Sequence, residues 1–94
     1  MTIIYEVTLS VPQTITDEYL GWLRNHVSEI LQLEGFMDAK IYQINPETFV
    51  VHYHVATYNA LIKYFEQQAP ALRQQGIDRF GDLVAISRRI LQPC

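Results

Sequence analysis

The 94-residue chain has a single cysteine, Cys94, at its last position. One thiol closes no internal disulfide, so a reducing compartment is the expected setting. A thiol at a chain end also lacks the rigid surroundings that would lower its pKa and make it a nucleophile. Basic residues are few: seven Lys and Arg stand against ten Asp and Glu, a formal net charge of −3. That balance argues against a nucleic-acid surface, which needs an excess of cations to displace counterions. Only Arg88-Arg89 and the stretch Arg73 to Arg79 group positive charge at all. Long apolar runs are missing, and none approaches the ~20 residues of a membrane span. The opening Met1 to Glu6 has no basic region, and Glu6 interrupts its apolar run, unlike a signal peptide. The cytoplasm is the expected location, with no membrane partner. There is no G-x-G-x-x-G, P-loop, C-x-x-C or H-E-x-x-H, so neither a cofactor nor a metal is expected from motifs.

What is present suits one folded domain over residues 1–94. The composition is 49% hydrophobic and 12% aromatic, with no polar or repetitive tract. Ile3, Tyr5, Val7, Leu9 and Val11 alternate with Ile4, Glu6, Thr8 and Ser10, the period of a strand with one apolar and one mixed face. Pro12 stops it. Thr14 or Thr16 is expected to cap a helix whose first turn carries Asp17 and Glu18. From Ile15 to Leu33 the apolar residues Ile15, Tyr19, Leu23, Val27, Ile30 and Leu33 share one face, with Arg24, Asn25, Ser28 and Gln32 opposite. Gly35 then marks a helix stop. Strands over 36–44 and 48–55 flank a turn at Asn45-Pro46-Glu47 and form a hairpin. Thr57 is expected to cap a second helix with Tyr58, Leu61, Ile62, Phe65, Ala69 and Leu72 on its apolar face. Pro70 must kink that helix or start a new turn. Gly76 and Gly81 punctuate a connecting loop, and 83–91 is the last strand. The order β-α-β-β-α-β predicts an α+β ferredoxin-like plait, a four-stranded antiparallel sheet with two helices on one face. Its first strand lies between the third and the fourth.

Two groups of polar residues invite a chemical reading. On the sheet face away from the helices, Glu6, Thr8, His52 and His54 share space with Ile4 and Val50. Such a face is too apolar for water and too polar for a dry core, and a symmetric sheet-against-sheet dimer resolves the conflict. His52, His54 and Glu6 could also make a transition-metal set, although hydrogen bonds along a dimer seam are the plainer explanation. On the helix side, Trp22, His26 and Glu29 form a ridge at spacings of four and three. A histidine facing a sheet needs a hydrogen-bond partner or a wet cavity. Glu29 could orient it, leaving the other ring nitrogen free for proton transfer. The plainer alternative is a structural histidine hydrogen-bonded between helix and sheet. Arg88 and Arg89 point to opposite faces, so one of them must approach an interior or an interface. It could pair with Glu6 or clamp an anionic ligand. Tyr5, Tyr42 and Tyr53 read as core or interface aromatics.

The opening Ile3 to Val7, the W-L-x-x-H-x-x-E stretch from Trp22 to Glu29, the Gly35-Phe36 entry and the R-F-G ending Arg79-Phe80-Gly81 through Leu91 resemble an uncharacterised bacterial domain-of-unknown-function family (DUF4286-like). That family is similar to the dimeric α/β-barrel superfamily, which includes antibiotic-biosynthesis-type monooxygenases, haem-degrading enzymes and muconolactone isomerases. The resemblance implies a homodimer whose sheets close into a barrel, with a pocket between helices and sheet in each subunit. It implies no activity, and the asparagine-tryptophan-histidine set of the haem-degrading members is not evident at matching positions. The expected function is a small-molecule pocket for an aromatic or enolisable molecule, monooxygenase-like or isomerase-like and without a cofactor. In it His26 is acid or base, Glu29 its orienter, Trp22 a wall, and Tyr5, Arg88 or Arg89 a ligand contact. The alternative is a non-catalytic homodimeric binding module, with a filled helix–sheet interface.

Overall fold

A computed structural model describes residues 2–94. Strand β1 (Ile3–Ser10) leads through a short 3-10 turn (Gln13–Ile15) into helix α1 (Thr16–Ile30). A hairpin of β2 (Phe36–Asn45) and β3 (Thr48–Val55) follows, then α2 (Tyr58–Gln67), α3 (Ala69–Phe80) and β4 (Ala85–Leu91). The sheet is antiparallel in the order β2-β3-β1-β4, the ferredoxin-like arrangement. No helix among the described residues is long and apolar enough to cross a membrane.

The alternation in β1 decides which way the sheet faces. Tyr5 and Leu9 are each 2% exposed and meet the helices, while Glu6 and Thr8 point to the other side. Helix α1 buries Tyr19, Leu23, Val27 and Ile30 at spacings of three and four, and Arg24, Asn25, Ser28 and Gln32 stay in water. Leu61, fully buried, anchors α2, whose start is fixed by Thr57 accepting a hydrogen bond from the Ala60 amide.

Several expectations change. Neither Thr14 nor Thr16 caps α1: the 3-10 turn runs straight into the helix, so Thr16 is already helical and its hydroxyl donates back to the Pro12 carbonyl at 3.2 Å. Helix α1 stops at Ile30, not Leu33, and turns carry the chain on to Gly35. The second helical segment is two helices, broken at Gln68 with Pro70 in the first turn of α3, where its missing amide costs nothing. Gly76 lies inside α3 rather than in a loop. A Cβ there would come within 2.9 Å of the Trp22 ring, so close packing takes precedence over its poor helix propensity. On α2, Tyr58 is exposed and Tyr64 takes its place in the core, because the helix begins only at residue 58.

Gly35 has φ of +86°, and a Cβ on it would stand 2.5 Å from the Ala60 Cβ. Gly35→Ala should therefore destabilise by about 1–2 kcal/mol or more in urea unfolding, with Ala60→Gly recovering the steric part. Gly21, inside α1, is the opposite case, because a Cβ added there would meet no atom within 4 Å. Gly21→Ala should stabilise by roughly 0.5–1 kcal/mol in the same assay.

Candidate functional site

A small cavity lies between the helices and the sheet. Tyr5, Val7 and Leu9 of β1 form its floor with Val51 and Tyr53 of β3. Helix α1 contributes Tyr19, Trp22, Leu23, His26 and Ile30, α2 gives Tyr64, α3 gives Arg73, and β4 gives Arg88. Its volume is about 50 Å³. That is room for a few waters or a carbonyl-sized group, not for a whole drug-sized ligand. A wider groove of about 460 Å³ adjoins it, sharing Tyr5, Arg73 and Arg88 and adding Phe65, Arg89 and Ile90.

His26 is held by stacking. The Trp22 and His26 rings lie 4.7 Å apart at 17°, one turn apart on one helix. Trp22 also packs edge-on against Phe80, and Gly76 gives it space on α3. The buried Nδ1 of His26 has no hydrogen-bond partner among the described residues. The expected orienting contact from Glu29 is absent: Glu29 is exposed to solvent, because its position on α1 falls just outside the covered arc. Glu29 acts on the ring only through space. Burial pulls the imidazole below its usual range, the Arg88 charge adds to that pull, and Glu29 opposes it. His26 is thus neutral near pH 7.

Three of the surrounding phenols, Tyr19, Tyr53 and Tyr64, stay protonated. Burial pushes Tyr19 and Tyr64 up to about 12 and Tyr53 higher still. The Tyr5 hydroxyl lies 3.5 Å from Nη2 of Arg73, whose guanidinium sits 5.7 Å over the Phe65 ring. The Nε of Arg73 is buried without a partner among the described residues. Sequence patterning does not single out Arg73. It reaches the cavity from the first half of α3, a helix that continues through a segment with the look of a loop.

The two arginines of β4 separate as their alternation requires. Arg88 pairs in register with Val7, on the helix side, and lines the cavity. Arg89 pairs with Glu6 on the open face, its Nε donating to Oε1 at 2.5 Å. Glu6 also bonds Nε2 of His52 at 2.7 Å, and these two hydrogen bonds, Arg89 first, hold its carboxyl below the usual range. His54 faces the same side but pairs with Asp38 of β2. The metal set of His52, His54 and Glu6 therefore does not converge: each histidine has its own carboxylate, and Arg89 shares the one that His52 uses. Among the described residues no group of three metal-ligating side chains forms. Thr8 lies beside Val50 and Ser87 on that same open face.

A group whose folded pKa is depressed contributes stability above its unfolded pKa and loses it as pH falls through the folded value. For His26 the loss should begin below about pH 6.5, and for Glu6 below about 4.5. Urea midpoints across that range should show two steps, and His26→Gln should flatten the upper one. In ring-proton NMR titrations His26 should titrate below 6.5.

The fold recurs in solved structures. A Nitrosomonas europaea protein provisionally named an antibiotic biosynthesis monooxygenase matches with a TM-score of 0.78 at 20% identity, over 98% of this chain and 89% of that one. SnoaB of Streptomyces nogalater, named a cofactor-independent oxygenase, matches at 0.72 and 12% identity, over 98% and 92%. An EthD family protein of Bacillus halodurans matches at 0.74 and 12% identity over the whole of both chains. At these identities the likeness is one of fold. No curated protein sequence matches significantly. One family model, a domain of unknown function, spans residues 2–94, and the chain belongs to that family, DUF4286.

Proposed function

We propose that this protein is a homodimeric α/β-barrel protein that takes a small aromatic or enolisable molecule into the cavity beside His26 and removes a proton from it. The observation that carries this reading is a half-buried, neutral histidine whose buried Nδ1 lacks a partner among the described residues, on the wall of a cavity that two arginines also line. A structural histidine would be hydrogen-bonded within a filled interface. In the proposed step the carbon–hydrogen bond next to a carbonyl breaks. Its proton goes to His26, and its electron pair moves into the enolate, whose oxygen faces the guanidinium groups. Return of the proton to another carbon would make the reaction an isomerisation. A cofactor-independent oxygenation, the activity in SnoaB's name, would start from the same carbanion. Trp22 serves as wall and ring support, and Tyr5 positions Arg73.

The dimer reading is supported by the open sheet face. Tyr42 remains 48% exposed there, beside the half-buried His52 and Thr8, while Glu6 and Val50 are already buried. A second copy laid face to face would cover this row and its polar pairs. A non-catalytic assembly module would use the same face.

Two measurements test these readings. Benzoylacetone in deuterated buffer should exchange its methylene protons faster with protein than without, and His26→Gln should reduce that excess by about 10²-fold or more. Equal exchange with both variants would remove His26 from the mechanism. Light scattering should give twice the monomer mass, and Thr8→Arg, placing a charge mid-face, should give a monomer.

A further inference from the structure

The groove outside the cavity gives the pocket a preferred ligand class, an inference that rests on the pocket proposed above. We propose that Arg73 and Arg88 form a carboxylate subsite at the cavity mouth, and that the groove takes single-ring aromatic acids.

Charge accounting points to an anion. Among the described residues Lys63, Arg79 and Arg89 each have a carboxylate partner, and Arg73 and Arg88 have none. Arg24 and Lys40 are exposed and line neither space. Arg73 and Arg88 line both the inner cavity and the outer groove, and no Asp or Glu lines either. A protein of net charge −3 thus keeps its two uncompensated cavity cations together. Their charge is permanent, since a guanidinium does not lose its proton in proteins. Arg73 is also fixed in place by Phe65 beneath it and the Tyr5 hydroxyl beside it, with its Nε still unsatisfied.

The shape points to a planar acid rather than a bare anion. A guanidinium fork matches a carboxylate through two parallel hydrogen bonds. Beside the fork, Phe65 and Ile90 offer apolar surface. The groove volume of about 460 Å³ is in the range that holds a small organic ligand. Arg89 spends its charge on Glu6 across the sheet and lends the groove only its stem. The inner cavity, at about 50 Å³, then admits the group next to the acid and brings it towards His26.

The probes are benzoate, its neutral analogue benzamide, and inorganic phosphate. Binding is followed by the fluorescence of Trp22, the only tryptophan, and by amide NMR shifts. Benzoate should bind at least about tenfold tighter than benzamide. Arg88→Gln lies on an exposed strand and should keep the fold. It should weaken benzoate at least about tenfold and so remove that preference, and Arg73→Gln should act in the same direction. Equal affinity for benzoate and benzamide, or no saturable benzoate binding, would overturn the subsite. So would phosphate displacing benzoate at equal concentration, which would mark a bare anion site. The two proposals fail separately. Absence of the benzoate preference with benzoylacetone exchange intact sinks the subsite alone. A benzoate preference present without any exchange sinks the proton-transfer reading alone.

Discussion

The helices of this protein cover one face of its sheet and leave the other without cover. An antiparallel sheet places successive side chains on opposite faces, so each strand residue is assigned to one environment or the other by its parity. On the uncovered side the polar residues must satisfy one another across the strands. They do so in rows: Lys40, His52, Glu6 and Arg89 stand side by side in register, and Asp38 pairs with His54 in the next row. Glu6, at 9% exposure, is the centre of the first row. Two donors hold this carboxylate below its usual range, and removing either would leave a poorly compensated charge.

Cover is also incomplete across the width of the sheet. Helix α1 and the α2–α3 pair sit over the central strands β1 and β3, whose residues Leu9, Val51 and Val55 are almost wholly buried. Strand β4 is an edge strand, and Ala85 to Arg89 are all exposed. The cavity opens where the helical layer gives way to this edge. Parity again selects its contents. Arg88, level with Val7, faces the helices, and Arg89, level with Glu6, faces away. One adjacent pair of arginines thus supplies both a cavity cation and an open-face clamp.

Most of this is legible in the sequence because it depends on period. The hairpin bounds, the alternation of β1, the buried stripe of α1 and the split of Arg88 from Arg89 all follow from spacings of two or of three and four. What stays hidden depends on contacts between distant segments. Gly76 has the signature of a loop, yet the Trp22 ring packs against it and the helix continues. Once the helix continues, Arg73 turns inward, 68 residues from the Tyr5 that it meets. The ridge of Trp22, His26 and Glu29 exists in angle but not in depth. Trp22 and His26 lie at the rim of the covered arc and Glu29 just beyond it, a difference that depends on where Phe80 and α3 sit.

The electrostatics of the cavity follow from that difference in depth. Had Glu29 been buried against the imidazole, it would have favoured the charged ring and left His26 a poor base near neutral pH. Exposed, its influence is weaker than burial, which dominates, and Arg88 adds to the depression. Arg73 and Arg88 cannot relieve their mutual charge by losing a proton. The cavity at rest therefore combines a neutral imidazole with fixed cations. An anion seated at Arg88 would offset the charge that helps hold His26 neutral, and would raise the affinity of the imidazole for a proton. On the proposed reading, a bound acid would cancel only the Arg88 part of the depression, and burial, the larger cause, would still hold the ring neutral and able to accept a proton. The coupling needs no movement of the backbone, because it runs through the field of one arginine placed by parity on the helix side of an edge strand.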